Sequence, residues 1–147
     1  MELFFTPVHV LLATVAGFLV GAVWFSPVLF MKAWLRGEGI TKEQVSKRTT
    51  MYMLQINAYS FIAHAAMASV LAVIFDVLAV NSLSLAIVLG LLITFGFVVT
   101  TKFIDMVYTP LGKHYEPRHQ IKFLVNVGYY LAVTIVMSSV LFLVAHT

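Results

Sequence analysis

Cysteine is absent from the 147 residues, which excludes disulfides, thiolate metal sites and dithiol redox chemistry. Charge is scarce, at 10% of the chain, where a soluble domain carries roughly a quarter. With 61% of the residues hydrophobic, a soluble fold of this size has nowhere to hide its apolar surface. No phosphate-binding glycine loop, no nucleophile with an adjacent base and no metal-ligand spacing occurs, so the sequence calls for no catalytic residue, metal or cofactor. No basic motif points to nucleic acid, and a net charge of +3 is explained first by membrane topology. A cleavable secretory signal is not expected, because Glu2 is the only charge before a long apolar run where such a signal needs a basic start.

Long apolar runs are what the chain does have. They cover about 8–29, 51–79, 83–107 and 121–145, and each approaches or exceeds the roughly 20 residues that cross a bilayer as helix. In hydrocarbon the backbone must satisfy its own hydrogen bonds, and the alternating short segments of a barrel are missing, so the runs are expected to be helical. The expectation is a single all-α domain over 1–147, an integral membrane bundle of four transmembrane helices. Asn81 and Ser82 make a turn so short that the second and third spans should be antiparallel neighbours. The connections at about 30–50 and 108–120 are longer, and Lys32 to Arg48 is a candidate interfacial helix. Pro27 should kink or end the first span, and Tyr108-Thr109-Pro110-Leu111-Gly112 should break the chain after the third.

The basic residues orient the spans. Lys32, Arg36, Lys42, Lys47, Arg48, Lys102, Lys113, Arg118 and Lys122 all fall in or beside the first and third connections. Short basic loops resist translocation, so those connections should be cytoplasmic and both termini should face outward. So complete a bias argues against insertion in both orientations. The expected location is a bacterial inner (cytoplasmic) membrane.

Several polar residues fall inside the runs. Asn57, Ser60 and His64 at i, i+3 and i+7 share one helical face. His64 is about 13 residues into its span, roughly 20 Å deep at 1.5 Å per residue. An ionisable group at that depth is a site hypothesis, weighed against a plain interhelical hydrogen bond. Gly90, Thr94, Thr101 and Asp105 lie close to one stripe of the third span, where Lys102 and Asp105 can pair and snorkel. Asp76, near the other end of the second span, is expected to be hydrated or bonded by a neighbouring helix. Asn126, Tyr129 and Tyr130 cluster in the fourth span; the tyrosines read first as interfacial belt residues, while a buried amide needs partners. Thr14, Gly17, Gly21 and Trp24 share a face of the first span, and Gly17-xxx-Gly21 permits close helix packing. His114 and His119 beside Glu116 read as a solvated loop. Turned inward, these stripes make a weakly polar cleft with Trp24, Ser26, Asn57, Ser60, His64, Thr94, Thr101, Asn126 and Tyr130 as candidate ligand residues, and Gly17, Gly21 and Pro27 as packing residues.

Three segments together resemble a known family. They are Gly17-xxx-Gly21-xx-Trp24-Phe25-Ser26-Pro27-xx-Phe30-xx-Ala33-Trp34, Gly96-Phe97-Val98-Val99-Thr100-Thr101, and Phe123-Leu124-Val125-Asn126-Val127-Gly128-Tyr129. The chain is similar over nearly its whole length to the bacterial four-span membrane proteins called domain of unknown function 1761. The departures are Met31, where glycine is usual, and Lys102 and Asp105, where neutral or amide residues are usual. The resemblance implies the fold and no activity.

Three functions fit these observations. The first is binding or passing a lipid or small solute through the intramembrane cleft, with membrane lipids as partners and a homo-oligomer as one way to build a pore. The second is an accessory or assembly subunit, favoured by Gly17, Gly21 and the small residues Ala58, Ala63, Ala65, Ala66 and Ala68. The third is a membrane enzyme on a lipophilic substrate. Arg48 and Asn57 are present as in the second helix of the four-span glutathione-transferase-like family, but no Glu lies within the span and the spacing differs.

Overall fold

The computed structural model describes residues 5–108 and 116–146, and among these the chain is helix joined by turns. The helices are α1 (Pro7–Trp24), α2 (Met31–Glu38), α3 (Lys42–Ser46), α4 (Thr50–Val77), α5 (Leu83–Val107) and α6 (Pro117–Ala145). At 18, 28, 25 and 29 residues, α1, α4, α5 and α6 are each long and apolar enough to cross a membrane. Their outward faces carry Leu11, Leu19, Leu54, Ile62, Leu92, Phe95 and Leu124, all exposed. An apolar exterior of this extent belongs against lipid, and the chain is a multi-pass membrane protein.

The spans form an open layer. α1 and α6 pack along each other at its centre, α4 lies on α1, and α5 lies on α6. α4 and α5 scarcely touch, which corrects the expectation that the short turn makes them neighbours. Small residues decide this arrangement. Ala68 and Ala72 are buried on α4, as are Ala13 and Gly17 on α1, while Gly90 of α5 lies against Ser138 and Thr134 of α6. Without a hydrophobic drive between helices in lipid, close backbone approach selects the partner, and each flanking helix finds it on the central pair.

The turn between α4 and α5 is a helix-capping motif. Ala79 takes the left-handed conformation at φ 48°, the Val80 N–H donates to the Phe75 carbonyl at 3.0 Å, and the Ala79 N–H to that of Asp76 at 3.1 Å. Val80 and Phe75 are both buried, the apolar contact that accompanies this cap.

The first span ends at Trp24, short of the expected residue 29. Pro27 pushes Ser26 away from helical geometry, so it terminates the helix instead of bending it. The chain then turns tightly, with the Phe30 N–H on the Trp24 carbonyl and the Met31 N–H on that of Ser26. α6 starts four residues earlier than expected, because Pro117 in a first turn gives up only an N–H that has no helical partner anyway.

The expected helix in the first connection is present as two, α2 and α3. α2 packs on α6, where Gly37 meets the Lys122 backbone and Glu38 accepts from Lys122 Nζ at 2.9 Å. That contact joins the first connection to the start of α6 and gathers the basic residues of both at one end of the molecule. Lys113 and most of the break after Tyr108 lie outside the described residues.

Candidate functional site

His64 sits midway along α4 with only 5% of its surface exposed. Its Nδ1 is 2.6 Å from the Ser60 carbonyl, an oxygen that can only accept, so Nδ1 carries the proton. Nε2 is 2.7 Å from the Tyr129 hydroxyl, and in the neutral ring it accepts, leaving Tyr129 to donate. A proton-ordered chain therefore runs from α6 through the imidazole to the α4 backbone. Both ring nitrogens are satisfied, as a buried imidazole requires.

The glycines of α1 make this meeting possible. A Cβ at Gly17 would lie 2.7 Å from Met137 Sδ and 3.1 Å from His64 Cδ2; one at Gly21 would lie 3.1 Å from the Tyr129 hydroxyl oxygen. The small-residue pair thus lets α1 lie close to both α4 and α6. Phe18 covers the imidazole edge-on, with ring centroids 6.2 Å apart.

Beside the His64–Tyr129 pair opens a cavity of about 390 Å³, lined by Phe25, Ser60, Ala63, His64, Met67, Asn126, Tyr129 and Tyr130. Four of the expected cleft residues, Ser60, His64, Asn126 and Tyr130, meet here. Asn57 lines a second chamber of about 470 Å³ between α1, α2 and α4, which shares Phe25, Ser60 and Tyr129 with the first. Asn126 also borders a third, more polar hollow of about 320 Å³ at the basic end, with Lys102, Asp105, His119 and Lys122 on its walls. Lys102 pairs there with Asp105 at 3.4 Å, and His119 lies 3.9 Å from Glu116. His114 falls outside the described residues.

Other expected cleft residues are elsewhere. Thr94 is buried in the α5–α6 seam, where Thr134 donates to the Tyr130 carbonyl and so accepts from the Thr94 hydroxyl at 2.6 Å. Thr101 is exposed and bonds its own helix at the Phe97 carbonyl. The reason is a π-helical segment at Thr94–Val99, which winds more residues per turn than an α-helix and rotates Thr101 off the face of Thr94. Trp24 packs over Gly128 and donates from Nε1 to the Val125 carbonyl at 3.2 Å, wedging α1 against α6. Ser26 contributes its carbonyl to the turn after α1, and Pro27 is exposed there.

Two residues of the site escape a reading of spacing. Tyr129 resembles a belt tyrosine in sequence, and only its position three residues after Asn126 hinted at an inward face. Arg48 reads as a loop charge, yet it lines the chamber that holds Asn57.

A family model described as "Protein of unknown function (DUF1761)" matches residues 8–142. No curated protein and no solved structure matches the chain.

Proposed function

Because the chain belongs to the DUF1761 family, whose description assigns no activity, we propose a function from the site itself: the protein binds a lipid or small solute in the weakly polar cleft around His64 and Tyr129, and passes it along that cleft. The observation that carries this reading is the pair of neighbouring chambers that share Phe25, Ser60 and Tyr129 as wall residues, with Asn57, Asn126 and Tyr130 also on their walls. Volumes of about 390 and 470 Å³ fall within the range of small-ligand sites.

The setting we propose is a bacterial inner membrane, with both termini outside and the connections at 30–50 and 108–120 in the cytoplasm. The clustering of the basic residues in those two connections supports it.

The test is lipid-retaining purification into nanodiscs followed by native mass spectrometry. Wild-type protein is expected to carry a bound amphiphile or solute that His64→Leu and Asn126→Leu lose while remaining folded by circular dichroism. Folded wild-type protein that carries nothing, and moves no solute across liposomes, rules the reading out.

A further inference from the structure

Arg48 immediately precedes Thr49, the residue that caps α4. Its guanidinium lies 5.4 Å over the Tyr52 ring. Among the described residues the ion pairs join Lys102 to Asp105, Lys122 to Glu38, and Arg118 and His119 to Glu116; none engages Arg48. Arg48 is half-buried and lines the chamber of about 470 Å³. Its walls also carry Phe18, Phe25, Trp34 and Ile56, with exposed Asn57 and half-buried Ser60 further along α4. Thr50 to Ser60 spans roughly 15 Å at 1.5 Å per residue, so the lining residues Arg48 to Ser60 extend along about three turns of α4 and its approach.

A half-buried arginine whose guanidinium lies over an aromatic ring and pairs with no carboxylate among the described residues is half of an ion pair, and its planar fork suits carboxylate or phosphate. The apolar length behind it suits a hydrocarbon chain. We propose that this chamber takes an anionic amphiphile, with its carboxylate or phosphate on Arg48 and its apolar chain running past Trp34 and Phe25 toward Ser60. The proposal rests on the cleft-binding function above and names its ligand class. A small soluble anion would leave the aromatic walls without a partner, and a neutral lipid would leave Arg48 without one.

The chain has two tryptophans, Trp24 and Trp34, and Trp34 lines the chamber. Full-length protein in phosphatidylcholine nanodiscs is titrated with a brominated fatty acid, its methyl ester and a brominated phosphatidylglycerol, with inorganic phosphate as competitor. Saturable quenching by the fatty acid or the phosphatidylglycerol is expected, and it disappears in Trp34→Phe. Whichever of the two quenches identifies the source of the headgroup. Arg48→Gln should weaken the effect about tenfold or more, and Arg48→Lys should recover much of it. Circular dichroism confirms that each variant folds. Equal quenching by acid and ester, or an unchanged Arg48→Gln, overturns the anionic assignment while leaving amphiphile binding standing. Full displacement by inorganic phosphate overturns it in favour of a soluble anion. An absence of saturable quenching by every amphiphile overturns this proposal; the nanodisc mass measurement then decides separately whether the cleft binds anything.

Discussion

The His64 imidazole and the Tyr129 phenol, 65 positions apart in sequence, meet at 2.7 Å in a buried contact that ties α4 to α6. α4 otherwise reaches α6 only lightly, since its main packing is on α1. The pair is therefore a principal polar link between a flanking span and the centre of the layer.

Tyr129→Phe keeps the ring and removes the donor, leaving Nε2 buried and unpaired. The expected cost is about 1–3 kcal/mol, the penalty of an unsatisfied buried group. A double-mutant cycle with His64→Leu isolates the pair itself, with an expected coupling of about 0.6 kcal/mol and at most about 1.7, the range for hydrogen bonds between membrane helices. Unfolding in mixed detergent micelles reads both quantities. Strict additivity of the two substitutions is incompatible with a direct bond.

Gly17→Ala tests the close approach of α1. The new methyl group meets Met137 Sδ at 2.7 Å and His64 Cδ2 at 3.1 Å, so helices or side chains must shift. Overpacking of this kind costs about 1–3 kcal/mol. Gly96 is the control, because a Cβ there meets nothing within 4 Å. Gly96→Ala should be neutral or stabilising. Equal thermal shifts for the two variants would falsify the packing role of Gly17.

Ala79 carries the opposite problem, a side chain where glycine fits better. At φ 48° its Cβ crowds the backbone, a strain of roughly 1–2 kcal/mol that the cap at Phe75 and Val80 sustains. Ala79→Gly removes the strain and adds unfolded-chain entropy of about 0.5–1 kcal/mol. A net gain of up to about 1 kcal/mol in the same unfolding assay is expected, with no effect on ligand retention. A loss of stability would mean that the turn does not hold this conformation.

Much of this architecture was legible from composition, because oil imposes a simple rule on backbone polar groups and the four runs obey it. The cleft was partly legible: Ser60 and His64 share a face at helical spacing, and Asn126 and Tyr130 lie four apart on the facing helix. Thr101 was not, since a π-helical segment is a local change of winding that leaves no mark in a hydropathy pattern. The order of the spans was not either. A short turn proves only that two ends are close, and the small faces of α1 and α6 decide the rest. Tyr129 and Arg48 were missed because residue type points both to the interface, and the side chains take their roles from neighbours distant in sequence.

The proposed sidedness has a direct test that the cysteine-free sequence makes clean. Asn81 and Lys42 are both exposed and lie on opposite sides of the α4 span. Single substitutions Asn81→Cys and Lys42→Cys place one thiol at each end without background. In intact cells a membrane-impermeant maleimide should label residue 81 and spare residue 42; permeabilisation should expose the second. The physical basis is the cost of carrying several cations across the bilayer during insertion, which holds Lys32, Arg36, Lys42, Lys47 and Arg48 on the side of synthesis. Labelling of residue 42 alone would invert the orientation. Labelling of both in intact cells would indicate a mixture of orientations, and the charge bias would then have to be judged too weak to direct the fold.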